Sequence, residues 1–152
     1  MEKIRALIDT NVLLIGSVDL EKCVDSPEAM VIKKLLTKEI RMVTSLKQLE
    51  EIHVVARRVL GKSFAGWLRY LLLTELKPII IQEEACSPVE AQFRGKIPEE
   101  DSTHFAVAIV GKAHFIVSEN REFLKKASKC RTVKCISTQE SLKELNYRVS
   151  KK

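Results

Sequence analysis

The stretch IPEEDSTHFAVAIVGKAHFIVSENREFLKK, residues 97–126, decides the fold because it places a strand between two helices. Residues 101–110 are predicted to be helical, and residues 115–117 form a short, wholly apolar segment typical of a buried strand. A second helix is predicted over residues 121–127. Strands that alternate with helices in this way indicate a parallel sheet with helices packed on both faces.

The same alternation extends to both ends of the chain. The remaining predicted strands cover residues 4–8, 41–44, 78–81 and 132–136, and the remaining predicted helices cover residues 27–39, 45–60, 63–76 and 138–145. Ser26 and Pro27 fit the start of the first of these helices, as its N-cap and first helical residue. Ser45 and Gln48 fit a capping box at the start of the next.

Residues 82–100 interrupt this pattern because they contain Pro88, Gly95 and Pro98. We expect a loop there that contains a short helix near residues 89–93. The pattern as a whole predicts an α/β fold: a three-layer α/β/α sandwich with a central, mainly parallel sheet.

The composition is that of an ordinary globular protein, with 45% hydrophobic and 30% charged residues. A chain of 152 residues suits one domain, which we expect over residues 1–147, followed by a basic tail over residues 148–152. No apolar stretch approaches the roughly 18 residues that a membrane span needs, and the N-terminus lacks the apolar core of a secretory signal. We therefore expect a cytoplasmic protein without a membrane partner.

The four cysteines do not form a recognisable metal site. Only Cys130 and Cys135 are close in sequence, and no second Cys/His pair follows to complete a zinc site. We expect buried or free thiols, with a disulfide between Cys130 and Cys135 as the alternative.

Polar residues follow two of the predicted strands. The sequence DTN, residues 9–11, follows the first strand, and SEN, residues 118–120, follows the strand at residues 115–117. The helix predicted from Asp101 begins on the same side, because it precedes that strand. Sheets of this kind carry their sites beyond the carboxyl ends of their strands. We therefore expect these polar groups to converge at one edge of the sheet.

Three stretches of the sequence resemble the motifs of PIN domains, and they follow one another along the chain in the same order as in that family. Residues 97–126 resemble the C-terminal half of a PIN domain: an Asp opens a helix, Ala108 follows at the seventh position after it, and after an apolar strand a small hydroxyl residue and an acid start another helix. ALIDTNVLL, residues 6–14, is similar to the first PIN motif, in which Asp ends the first strand and Asn follows two residues later. SLKQLEEIHVVARRVLG, residues 45–61, resembles the second, with Glu inside a helix.

The resemblance implies a PIN-like ribonuclease that depends on Mg²⁺ or Mn²⁺. It assigns Asp9 and Asp101 as metal ligands, Glu51 as the second acidic position, and Asn11 as the residue that steadies Asp9. Hard divalent cations prefer oxygen ligands, and a bound metal activates water and neutralises charge on a phosphodiester. Helical periodicity alone leaves Glu50 and Glu51 open as the second ligand.

The fourth acidic position departs from the family pattern. PIN domains commonly have Asp where this chain has Asn120, so one negative charge is missing. An amide oxygen can still contact a metal or orient water, and Glu119 and Glu122 are alternative carboxylates. Asn120 fits equally well as the N-cap of the helix that follows, with Ser118 as a neighbouring polar contact.

The expected partners follow from charge and from the resemblance. The net charge of +6 favours a polyanion such as RNA, and Arg121 and Lys125 are the basic candidates beside the predicted site. His104, one turn beyond Asp101, either contacts the site or RNA, or is a packed or surface residue of its helix. The resemblance to VapC-type PIN proteins implies a homodimer and an antitoxin protein as partner.

Two functions from different classes fit these residues. The first is a metal-dependent endoribonuclease, in the manner of a toxin from a toxin–antitoxin pair. The second is a PIN fold with impaired catalysis that serves as an RNA-binding or assembly module. This alternative is suggested by Asn120, which stands where PIN domains commonly have Asp.

Overall fold

A five-stranded parallel sheet forms the centre of the fold. The computed structural model describes residues 3–150, with side chains described for residues 3–146. Its strands are β1 (Ile4–Ile8), β2 (Ile40–Ser45), β3 (Ile79–Ile81), β4 (Phe115–Val117) and β5 (Lys134–Ile136). They lie side by side in the order β3-β2-β1-β4-β5, and each neighbouring pair is parallel.

The helices cover both faces of this sheet. They are α1 (Thr10–Glu21), α2 (Pro27–Leu36), α3 (Leu46–Leu60), α4 (Lys62–Tyr70), α5 (Glu83–Gln92), α6 (Glu99–Val110), α7 (Arg121–Cys130) and α8 (Thr138–Ser150). A π-helical turn, Leu71–Glu75, extends α4. One hydrophobic core joins the sheet to α1–α4 and α8, and a second joins it to α5–α7. The predicted three-layer α/β/α architecture is therefore confirmed.

The central strand β1 contributes to both cores. Ala6 and Ile8 belong to the first core and Leu7 to the second, because successive side chains of a strand point to opposite faces. All three are fully buried. A strand that is buried on both faces is continuously apolar, which is why this segment could be recognised from the sequence.

The predicted helix caps are present, with one correction. The Ser26 side chain accepts a hydrogen bond from the Ala29 amide at 3.0 Å, with Pro27 as the first residue of α2. Ser45 accepts a hydrogen bond from the Gln48 amide at 3.1 Å. The return half of the predicted capping box is absent, because the Gln48 side chain bonds to β1 instead.

The sequence pattern predicts no helix before residue 27, and this is wrong because α1 covers Thr10–Glu21. The apolar residues of α1 are not confined to one stripe: Val12, Leu13 and Leu14 are consecutive and all buried. The helix contacts both α2 and α3, so it needs apolar residues on more than one side. A helix without a polar face lacks the 3.6-residue period by which surface helices are recognised.

The loop predicted over residues 82–100 is also partly wrong. Helix α5 occupies Glu83–Gln92 and contains Pro88, so the short helix expected near residues 89–93 begins much earlier. Cys86 is fully buried in the second core and anchors α5 to it. Tertiary packing of this kind outweighs the unfavourable propensity of one proline.

Three further expectations concern the C-terminus, the membrane and the cysteines. Helix α8 includes residues 148–150 of the predicted tail, and residues 151–152 lie outside the described residues, so the division into domain and tail stays a prediction. Within residues 3–150 no helix is both long enough and apolar enough to cross a membrane. All four cysteines are free, so Cys130 and Cys135 form no disulfide here.

Replacement of Gly16 by Ala should destabilise the fold. A Cβ at Gly16 would lie 2.5 Å from the carbonyl oxygen of Glu28 and 2.7 Å from a side-chain carbon of Ile32. Helices α1 and α2 would have to separate, at a cost of about 1–3 kcal/mol in the free energy of unfolding. Urea denaturation measures this change.

Gly66 supplies the matched control because it also lies within a helix. A Cβ at Gly66 would meet no atom within 4 Å, so Gly66→Ala should be neutral or should stabilise the protein by up to about 1 kcal/mol. Equal stability of the Gly16→Ala variant and the wild type would contradict the close approach of the two helices.

Candidate active site

The site lies at the point where the order of the strands reverses direction. The chain passes from β1 outward to β2 and β3, and then returns to the other side of β1 with β4 and β5. The Asp9 amide donates to the carbonyl of Val117 at 2.9 Å, which holds the ends of β1 and β4 together. Crevices at such switch points are where α/β proteins bind ligands. Asp9 stands directly at this one.

Asp9 is a half-buried carboxylate with a hydroxyl partner. Its Oδ2 accepts a hydrogen bond from the Ser118 hydroxyl at 3.1 Å. Burial raises the pKa of Asp9 above its ordinary value of 3.8, and the nearby negative charge of Glu51 adds to this. The Ser118 hydrogen bond and the charge of His104 act in the opposite direction without cancelling the effect of burial.

Asp101, in the first turn of α6, is the second carboxylate of the site. Burial raises its pKa, and the negative charge of Asp9 raises it further, together with those of Glu100 and Glu51. Its Oδ2 is buried and has no hydrogen-bond partner among the described residues. Two partly buried carboxylates with raised pKa values, one of them raised further by the charge of the other, form a place where a cation is electrostatically favoured.

Glu51 reaches the site from α3. Its Oε2 accepts a hydrogen bond from the Thr10 hydroxyl at 3.1 Å and lies 3.0 Å from Nε2 of His104. Glu50 instead lines a groove of about 400 Å³ between α3 and α4. Of the two glutamates that periodicity left open, the structure therefore brings Glu51 to Asp9.

The candidates for the fourth acidic position serve as helix caps or surface pairs. The Oδ1 of Asn120 accepts a hydrogen bond from the Phe123 amide at 3.2 Å and so caps α7. Glu119 accepts from the Thr138 amide at the start of α8, at 2.7 Å. Glu122 pairs with Lys126 one helical turn later, at 3.0 Å. The N-cap interpretation of Asn120 is confirmed.

A comparison with known proteins agrees with this arrangement. The family model described as the PIN domain matches residues 5–122, most of the chain. The chain belongs to the PIN-domain family. No curated protein matches it significantly. The crystal structure of FitAcB from Neisseria gonorrhoeae is similar to this PIN domain, with a TM-score of 0.60 and 16% identity, over 88% of this chain and 98% of the other. This similarity supports the fold.

The other predicted residues of the PIN domain lie at the rim. Asn11 is exposed in the first turn of α1, while the side-chain partner of Asp9 is Ser118. Arg121 is the first residue of α7, and both it and Lys125 are exposed. Their roles in steadying Asp9 and in binding RNA stay predictions.

Sequence reasoning gave no role at the site to Thr10 or to the Gln48 side chain. Thr10 is buried and donates to Glu51. The Gln48 amide nitrogen donates to the carbonyl of Ile8 at 2.7 Å, and its amide oxygen accepts from the Thr44 hydroxyl at 2.5 Å. In the sequence, only their positions could have indicated a role at the site: Thr10 follows Asp9 directly, and Gln48 precedes Glu51 by one helical turn.

The carboxylates of this PIN domain fit a divalent cation of the magnesium type. In the described part of the chain, no group of three or more His, Cys, Asp or Glu side chains is arranged to hold a metal ion. Mg²⁺, however, is usually held by one or two carboxylates together with several waters. Asp9 and Asp101 supply such a pair, and Oδ2 of Asp101 is buried without a hydrogen-bond partner among the described residues, as suits an oxygen that coordinates a cation.

The raised pKa of Asp9 predicts that Asp9→Asn stabilises the metal-free protein. Between pH 3.8 and the raised pKa of the folded state, the folded chain binds more protons than the unfolded chain, so stability increases as pH falls through this window. At pH 7 the ionised carboxylate is therefore a cost that Asn removes. We expect a higher melting temperature for the variant, by about 2–4 °C per kcal/mol of cost removed.

Calorimetric scans of both proteins from pH 7 downward measure this effect. The difference should shrink as pH falls from the raised pKa of the folded state to 3.8 and be absent below that, because Asp9 is then protonated in both states. If the variant melts at or below the wild-type temperature at pH 7, the ionised Asp9 carboxylate does not destabilise the fold and the prediction is wrong.

Proposed function

We propose that this PIN domain is a metal-dependent endoribonuclease that hydrolyses RNA phosphodiester bonds. The observation that carries the proposal is the placement of Asp9 and Asp101 at the switch point of the sheet, where burial raises the pKa of both and the charge of Asp9 raises that of Asp101 further. Glu51 lies against the same cluster. Carboxylates concentrated in this way at a ligand-binding crevice favour cation chemistry over a structural role.

Asp9 and Asp101 would hold Mg²⁺ or Mn²⁺, with Glu51 as a third acidic group. When bound, the metal lowers the pKa of an attacking water and neutralises charge on the phosphodiester. The chain's own contribution is to fix the ligands, since Ser118 orients Asp9 through its hydroxyl. No side-chain nucleophile is required.

The substrate side of the proposal is based on charge. The chain carries a net charge of +6, and Arg121 and Lys125 stand exposed on α7, which begins beside Ser118. They are the proposed contacts for the RNA backbone. In the VapC-type manner, the protein would act in the cytoplasm as a homodimer controlled by an antitoxin protein.

A catalytically impaired RNA-binding or assembly module is the second candidate. Asn120 favours it, because the residue that stands where PIN domains commonly have Asp is used to cap α7. With one carboxylate fewer, the remaining acids attract a cation less strongly.

Substitution of Asp9 tests the enzyme directly. Asp9→Asn should lower the rate of single-stranded RNA cleavage in Mn²⁺ by more than the roughly 10- to 100-fold that loss of an outer-shell partner costs. The melting temperature of the same variant shows whether it is folded, which separates lost chemistry from lost structure. Activity equal to that of the wild type would refute the site.

Restoration of the missing acid tests the second candidate. Asn120→Asp keeps a good N-cap and adds one negative charge, so Mn²⁺ affinity measured by calorimetry should increase by about 10-fold. If the wild type binds RNA but neither it nor the variant binds Mn²⁺ at millimolar concentration, the binding-module function is correct and the enzyme function is wrong.

Salt dependence tests the RNA contacts. Each phosphate contact to a single strand contributes about −0.7 to the slope of log affinity against log salt, so Arg121→Ala and Lys125→Ala should each reduce that slope. Lys22, at the opposite end of α1 from Asp9, is exposed and serves as the control. If Lys22→Ala reduces the slope as much as Arg121→Ala and Lys125→Ala do, α7 is not the specific RNA contact.

A further inference from the structure

The Glu51 carboxylate is held by donors from two other helices. The Thr10 hydroxyl, at the start of α1, donates to Oε2 at 3.1 Å. Nε2 of His104, on α6, lies 3.0 Å from the same oxygen. These partners are 41 and 53 residues away from Glu51 in sequence. Three helices therefore meet at one carboxylate oxygen.

The chemistry of the groups fixes the roles in this cluster. An ionised carboxylate only accepts hydrogen bonds, so Nε2 of His104 must carry the hydrogen. The Thr10 hydroxyl is the donor in the other contact. Both contacts use Oε2, so neither occupies Oε1 of Glu51.

The burial of His104 argues against an incidental surface pair. Its side chain is only 14% exposed, whereas that of Glu51 is 47% exposed. Its Nδ1 is buried without a hydrogen-bond partner among the described residues. A buried polar atom without a partner destabilises a fold, so an apolar residue would suit a purely structural position better.

The spacing on α6 connects His104 to the proposed chemistry. His104 follows Asp101 by three residues, so the two side chains share one face of the helix. The same helix therefore supplies a carboxylate and the donor that holds another one. Asp9 and Asp101 are both within electrostatic range of His104.

We propose that His104, together with Thr10, is a positioning residue that fixes the Glu51 carboxylate beside Asp9 and Asp101. This inference deepens the proposed function and rests on it. Glu51 is long and half-exposed, so it would sample several rotamers without these donors. When Thr10 and His104 both hold Oε2 of Glu51, its Oε1 is left for the site. Partners of this outer kind govern metal affinity in many sites.

Two substitutions of His104 separate positioning from packing. In His104→Gln the side-chain amide nitrogen reaches the place of Nε2, whereas in His104→Asn it reaches only the place of Nδ1. We expect His104→Leu and His104→Asn to weaken Mn²⁺ binding, measured by calorimetry, by about 10- to 100-fold. His104→Gln should restore most of the affinity. With RNA as substrate, kcat should follow the same order while KM changes little.

A readout on the metal-free protein is independent of activity. Nitrogen-15 correlation spectra of the imidazole should show the hydrogen of His104 on Nε2 in the wild type, and this signal should change in Glu51→Ala. Thr10→Val provides a second route should His104→Leu fail to fold: it removes the other donor at nearly constant shape and should also weaken Mn²⁺ binding. Thr10→Ser should restore it.

His53→Leu is the matched control, because His53 lies on α3 two residues from Glu51 but lines the groove with Glu50. It should leave Mn²⁺ affinity unchanged. The inference is overturned if His104→Leu, His104→Asn and Thr10→Val bind Mn²⁺ as the wild type does while Asp9→Asn is inactive; the proposed function then stands. If Asp9→Asn retains wild-type activity, the proposed function and this inference fail together.

Discussion

The buried side-chain amide of Gln48 is the interaction on which the site depends. The pairing of β1 with β2 stops before the end of β1, so the carbonyl of Ile8 takes a side-chain donor, Gln48, at 2.7 Å. The Thr44 hydroxyl holds the other end of that amide. A buried carbonyl must be paired, and this pairing ties the first turn of α3 to the end of β1. Glu51, one turn later, is thereby brought to Asp9.

The same edge of the sheet concentrates negative charge in a partly buried place. Burial raises the pKa of Asp9 and Asp101, the negative charge of Glu51 adds to both, and that of Asp9 adds to the pKa of Asp101. A fold optimised for stability alone would not keep such a cluster, because each ionised carboxylate there costs free energy. Asn120, where PIN domains commonly have Asp, caps α7 with a neutral amide and adds no further negative charge. In the proposed function, stability and cation affinity are therefore opposed at this edge.

Much of the architecture could be predicted because its signals are local. The strands β1 and β4 are short apolar runs, and the polar residues after them mark their carboxyl ends. The starts of α2 and α3 follow from Ser26 and Ser45, whose caps involve residues only three positions away. The failures have the opposite cause. Helix α1 packs against both α2 and α3, and α5 contains Pro88 but is anchored by Cys86, so tertiary contacts outweighed the local pattern.

The sequence by itself determined the five strands, the helices α2–α4 and α6–α8, and the delivery of Asp9 and Asp101 to one edge, because strand direction and hydrophobic pattern are local properties. Only the tertiary structure decided which glutamate joins them and what His104 contacts. Glu50 and Glu51 flank the apolar face of α3 almost equally, so helical geometry cannot separate them. The choice depends on how α1 and α6 pack across α3, and side chains more than forty residues apart in sequence meet only there.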